Sequence, residues 1–150
     1  MKTIKTGLLL LATVAALGGC ASNLSQSEQL ALYEAHAGEP VKDFRYFSTL
    51  NWTPLGDEAL AVWTKPNEAW MLNLSGPCND LDYTQAISIS NLFGRVSAGF
   101  DSVHVLGGPG ASFHIPCRIQ TIRPLDVKSL KAAQKEMREA KIVEREQKEG

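Results

Sequence analysis

Ala59-Leu-Ala-Val-Trp-Thr64, Lys65-Pro-Asn-Glu68 and Ala69-Trp-Met-Leu-Asn-Leu74 form the stretch whose reading decides the fold. Two segments, apolar on both faces or nearly so, flank four residues of turn chemistry. Pro suits the second position of a tight turn because its ring presets φ, so the segments read as an antiparallel hairpin. Alternate side chains of a strand point to opposite faces, which puts Trp70, Leu72 and Leu74 together and Met71 on the other side. Trp63 and Trp70, on facing strands, read as core rather than as a ligand groove. Trp52 lies upstream in a looser region, broken near Thr53-Pro-Leu-Gly56, and is the tryptophan set aside for a partner contact.

Period-two patterning continues on both sides of the hairpin. Upstream, Phe44-Arg-Tyr-Phe47 starts a β-type segment. Downstream, Ala86-Ile-Ser-Ile-Ser90 alternates as a strand with one wet face should, and Phe93-Gly-Arg95 marks the turn after it. Asp101–Leu106 places Val103 and Val105 against Ser102 and His104, and Gly107-Gly-Pro-Gly110 is a loop. The last strand sets Phe113, Ile115, Cys117, Ile119 and Thr121 on one face, with Arg118 and Gln120 on the other.

Helical spacing appears only at the two ends. Ser25 with Glu28 resembles a capping box, and Leu30, Tyr33 and Ala37 recur at helical intervals, so a helix is expected over Ser27–Ala37. Gly38 is placed to end it, and Pro40 blocks its continuation. After Arg123-Pro124 the helical period returns. Asp126 is the expected N-cap, and Val127, Leu130, Ala133, Met137 and Ala140 form a narrow apolar stripe in a Lys- and Glu-rich segment. Its first half should dock on the sheet and its final turns should fray. The expected class is therefore α+β: five or six antiparallel strands, with curling toward a barrel left open, between a short N-terminal and a long C-terminal helix.

The first twenty residues carry a different message. Lys2 and Lys5 precede an apolar or small run of 11 residues from Gly7 to Leu17, and Leu17-Gly-Gly-Cys20 follows. A span of a bilayer core of ~30 Å needs about 20 apolar residues. The run is too short for that and has the length and positive flank of a secretory signal. Leu, Gly and Gly before a cysteine form a lipobox, so Cys20 is expected to become a lipidated first residue, with two or three acyl chains giving a durable anchor. Ala21 follows, where an Asp would mark inner-membrane retention, which points to the inner leaflet of an outer membrane. The chain divides into a signal over 1–19, a tether over 20–26, a β-rich domain over 27–126 and a charged helix over 127–150.

Without residues 1–19, 131 of the 150 residues remain, enough for one domain with a core. Loss of Lys2 and Lys5 takes the basic count from 15 to 13 against 16 acids, a net charge near −3. That offers no basic footprint for nucleic acid. With Cys20 assigned to lipid, Cys78 and Cys117 remain, and in an oxidising compartment an isolated pair reads first as a disulfide. Neither has a CxxC partner, which speaks against redox catalysis. Cys117 should point coreward and staple the Cys78 loop to the sheet.

Chemistry-bearing patterns are sparse. His114-Ile-Pro-Cys117 with His104 suggests a metal site, but His114 and Cys117 fall on opposite faces of an extended strand. Asn79-Asp-Leu-Asp82 lacks the length, glycine and closing Glu of an EF-hand loop. Gly107–Gly110 has neither the Lys-Ser/Thr nor the helix of a phosphate cradle. Asp57, Asp80, Asp82 and Asp101 lie near loops or strand ends, with no spacing that predicts a meeting. No catalytic residue, metal or cofactor is assigned. Two alternatives stand beside a binding or structural role: an inhibitor of an envelope-attacking enzyme, and a hydrolase whose site is assembled from distant loops.

The chain resembles a family of proteobacterial envelope proteins of unknown function. The resemblance rests on Ala37-Gly38, Trp52 with Leu55-Gly56, Gly76-Pro-Cys78, Gly99-Phe-Asp-Ser-Val103, Cys117-Arg-Ile119 and Ile122-Arg-Pro-Leu-Asp126, and covers roughly 33–126. It implies an exported, β-rich domain with paired cysteines and no assigned activity. The expected function is that of a membrane-anchored accessory module contacting an envelope protein or polymer. Cys20→Ser is expected to abolish incorporation of labelled palmitate and to release the protein from the membrane fraction; unchanged labelling and fractionation would refute the lipobox.

Overall fold

In a computed structural model describing residues 24–107 and 115–150, the hairpin lies inside a six-stranded antiparallel sheet. The chain runs α1 (Gln26–Ala35), β1 (Asp43–Arg45), β2 (Asn51–Pro54), β3 (Ala59–Lys65), β4 (Glu68–Leu74), β5 (Ala86–Ile89), β6 (Arg95–Ser97), β7 (Ser102–Leu106), β8 (Cys117–Leu125) and α2 (Val127–Glu149). The large sheet has the order β2-β3-β4-β8-β7-β5, and β1 pairs with β6 as a separate ribbon. The class is α+β, and the sheet stays open, with β2 and β5 as its edges. The expected signal over residues 1–19, Cys20, Gly108–Gly110, Phe113 and His114 lie outside the described residues.

Lys65 pairs with Glu68 across Pro66 and Asn67, as the turn chemistry predicts, with Thr64 as an extra residue in β3. Both faces of the hairpin are covered. On one, Leu60, Val62, Leu72 and Leu74 join Phe44 and Val96 of the ribbon, Val103, Ile119 and Ile122 of the sheet, and Cys78 and Leu81 of the loop after β4. On the other, Ala59, Ala61, Ala69 and Met71 meet Leu32 and Tyr33 of α1 and Val127 and Leu130 of α2. The three small alanines let the helices approach closely. Trp70 stacks on Phe44 at 4.8 Å, while Trp63 meets Tyr33 edge-on at 6.1 Å, so the two tryptophans serve opposite layers.

Several expectations are corrected. Trp52 belongs to a strand: Asn51–Pro54 pairs with Leu60–Trp63 and Trp52 packs against the core, because β3 supplies the ladder that local propensity lacks. Residues 95–97 form a strand too short to show a period. β8 continues through Pro124 to Leu125. The missing proline N–H is harmless there, since the Pro124 carbonyl accepts from Gly38 N at 2.8 Å and the Ile122 carbonyl from Val41 N at 2.8 Å. A Cβ on Gly38 would meet Pro124 Cγ at 3.1 Å, so Gly38 permits this crossing; α1 has already ended at Ala35 with His36 as cap. Asn73 pairs with Thr121 but Leu74 with Ile119, leaving Gln120 as a bulge. The bulge reverses the alternation: Ile119 and Ile122 share a core face, and Thr121 turns away to accept the company of Asn73, donating to its Oδ1 at 3.0 Å.

Both helix starts match the capping argument. Ser25 and Glu28 form a capping box, and Asp126 Oδ1 accepts from Ser129 N at 3.1 Å. The stripe of α2 packs from Val127 to Met137 but leaves Ala140 exposed. The helix runs on to Glu149, with Glu144 and Lys148 paired at 2.7 Å in its last turns. No helix among the described residues is long and apolar enough to cross a membrane.

Cys78 and Cys117 form a disulfide with Cα atoms 5.5 Å apart, closing a sequence separation of 39. Constraint of the unfolded chain over such a loop stabilises by ~4 kcal/mol. Reductant, or Cys78→Ser with Cys117→Ser, is therefore expected to lower Tm by well over 10 °C in a thermal melt. The two capping carboxylates give a second expectation. Backbone N–H donation from Ser129 holds Asp126 below its ordinary range, and that from Ser25 does the same for Glu28. Lowered folded values mean stability that is present above the usual carboxylate range and lost as pH falls through the lowered values. Tm should hold from pH 7 to about 5 and fall below about 4, with a shallower fall in Asp126→Asn/Glu28→Gln.

Candidate functional site

The β1–β6 ribbon is fixed on its inner side and open on its outer side. Phe44 and Val96, opposite each other in the ribbon, are both buried. Tyr46 packs edge-on against Phe44, and its hydroxyl hydrogen-bonds Thr49 Oγ1 at 2.9 Å. Arg95 pairs with Asp43 across the ribbon. These contacts hold the turn that leads into β6.

That turn is the unusual element. Leu92 N donates to Arg95 O at 3.0 Å and Arg95 N to Leu92 O at 3.1 Å, leaving Phe93 and Gly94 as the two residues of the loop. Their φ angles are +51° and +71°. Positive φ at both positions is the primed turn that suits the twist of a hairpin, and its first position favours Asn, Asp or Gly. Here a phenylalanine occupies it, 98% exposed. Asn91 Oδ1 accepts from Gly94 N at 3.2 Å and Tyr46 N donates to Gly94 O at 2.8 Å, which clamp the turn from two sides. Phe47, 83% exposed, lies against Gly94, so two aromatic rings flank one tip. Phe100, 84% exposed, stands at the other end of the ribbon beside Val41 and Ser97, in the wall of an open groove.

The residues singled out from the sequence are dispersed. Asp101 is buried and structural: Ser90 Oγ donates to its Oδ1 and Ser97 N to its Oδ2, both at 2.8 Å, joining β5 to β6. Asp82 Oδ2 accepts from Gln26 Nε2 at 2.9 Å, tying the loop after Cys78 to the start of α1. Asp80 sits in that loop at φ +64°. Asp57 and Glu58 line an open groove beside α1 with Gln26, Glu34, Asn73 and Gln120. His104 lies on β7 opposite Ser88. Among the described residues, no group of three or more His, Cys, Asp and Glu side chains is placed to hold a metal ion. Burial pushes the Tyr33 hydroxyl up, but it packs between α1 and α2, hydrogen-bonded to Gln134 at 3.3 Å.

Phe93-Gly-Arg95 reads as a turn in the sequence, with no role attached to it. The signal was present: an x-Gly pair closed by a bulky apolar residue where a polar one fits better. Its exposure depends on the ribbon, which turns Phe44 and Val96 into the core and leaves Phe93 in solvent.

No curated protein and no solved structure matches the chain. The family model described as "Family of unknown function (DUF6491)" matches residues 1–141. With nearly its whole length matched, the chain belongs to that family.

Proposed function

We propose that this protein is an outer-membrane lipoprotein, anchored through Cys20 on the periplasmic side, that acts as a binding accessory of the envelope. The contact is made by the aromatic tip of the ribbon. The lipobox supports the anchoring; Phe93 carries the binding reading. A left-handed conformation costs a non-glycine residue about 1–2 kcal/mol. The ring, held in solvent, gains nothing from the fold in return. Burial of a phenylalanine on a partner contributes about 1.5–3 kcal/mol, enough to offset that strain. Strain of this kind concentrates at functional sites, and aromatic residues concentrate at interface hot spots. A protein partner with an apolar pocket fits the tip best. An enzyme cleft receiving the Phe93 ring is the inhibitor version of the same reading, favoured by the way a two-residue turn projects its first side chain.

Phe93→Asn separates stability from function. Asn tolerates the left-handed region, so the variant is expected to melt at the same temperature or a few degrees higher. A photo-crosslinking residue at Phe47 should give a discrete envelope-protein adduct in intact cells, reduced at least tenfold by Phe93→Asn. A lower melting temperature with unchanged crosslinking would overturn the proposal.

A further inference from the structure

β5 is a four-residue edge strand of the sheet, and it carries neither charge nor proline. Tyr83-Thr-Gln-Ala-Ile-Ser-Ile-Ser-Asn-Leu-Phe-Gly94 contains no charged residue and no proline. At the chain's charged content of 21%, about two or three charges belong in a stretch of that length. The opposite edge, β2, carries Pro54. Exposed edges are ordinarily blunted by charge, proline or a bulge, because their unpaired N–H and C=O groups are a template for another strand.

The ladder fixes which groups are offered. Ser90 N donates to Ser102 O, and Ser88 stands opposite His104 in the same alternation. In an antiparallel pair alternate residues bond to the partner and those between turn outward. The backbones of Ile87 and Ile89 therefore point away from β7, where the Ile89 carbonyl accepts from Asn91 Nδ2 at 3.5 Å and keeps a second lone pair for another strand. The Ile87 and Ile89 side chains pack toward the core, and Ser88 is exposed on the outer face.

We infer that two copies of this chain pair antiparallel through β5, joining their sheets into one of twelve strands. Outward residues must pair with outward residues. The register that uses both sets Ile87 of one copy opposite Ile89 of the other, with Ser88 facing Ser88 on the two-fold axis. Self-pairing, rather than capture of an unrelated strand, follows from two properties of this edge. A two-fold axis brings the residues beside it close to their own copies, so a charge there would repel itself, and residues 83–94 carry none. The strand also carries an exposed apolar residue just beyond each end, Tyr83 at 87% and Leu92 at 69%. Antiparallel pairing of identical strands brings the Tyr83 end of each copy to the Leu92 end of the other. A four-residue seam with these two flanks falls at the small end of stable interfaces, about 1,200 Å² or less, so micromolar association is expected.

Sedimentation of the purified full chain in mild detergent tests the pairing, with no other protein present and Phe93 untouched, so its outcome is separate from that of the binding reading. Wild type should shift from monomer to dimer over about 1–500 µM. Ser88→Glu and Ser88→Lys, each placing like charges face to face, should weaken association at least tenfold, and an equimolar mixture should restore it. Amide hydrogen exchange at Ile87 should slow with concentration in wild type, a reading that does not rely on either variant folding. A wild type that stays monomeric, an exchange rate at Ile87 independent of concentration, or a folded Ser88→Glu that dimerises like wild type would each overturn the inference.

Discussion

Met71 and Leu72 are neighbours in β4, and both are fully buried, one on each face of the sheet. A strand with no wet face requires cover on both sides, and the rest of the molecule supplies it. The helices cover the Met71 face, where alanines keep the sheet surface shallow. The ribbon and the disulfide-bound loop cover the Leu72 face, where larger side chains fill the gap. Two elements short enough to be unstable alone, a three-residue-per-strand ribbon and a ten-residue helix, persist because each closes one side of this strand.

β8 makes that arrangement possible by changing face partway along. Its bulge at Gln120 lets Ile119 serve the core near the disulfide and Ile122 serve the core under the ribbon. Beyond the bulge, the segment after α1 crosses alongside β8, with the Arg123 guanidinium donating to the Gly38 and Ala37 carbonyls at 2.8 and 3.1 Å. The N-terminal helix, the ribbon and the C-terminal helix are thus all referenced to a single strand. The position of the Phe93 tip follows from the same chain of contacts: Phe44 on Trp70, Val96 in the core, Gly94 on Tyr46.

The two features proposed to make contacts lie where this core makes no demand. The ribbon needs Phe44 and Val96 inward, and its turn needs positive φ, which favours Asn, Asp or Gly at the first position, so a phenylalanine exposed there has no packing explanation. The β5 edge likewise needs only Ile87 and Ile89 inward. Its outward composition is free to vary, and it is uncharged. Both readings therefore rest on residues that the fold alone does not require.

Hairpin, caps and cysteine pair were legible because each rests on interactions local in sequence or on simple count. Pro66 presets a turn, Ser25 and Asp126 reach backbone groups three residues away, and two cysteines left over in one domain have each other. The faces of β8 beyond Gln120, the strand character of residues 51–54 and 95–97, and the exposure of Phe93 were decided only by tertiary structure. Each depends on a partner strand distant in sequence: β4 sets the bulge, β3 makes a strand of the segment around Trp52, and β1 holds β6 so that its turn faces out. Periodicity reports which residues share a face of one strand. It carries no information about which other strand lies beside it, and in this protein that neighbour decides where the exposed chemistry lies.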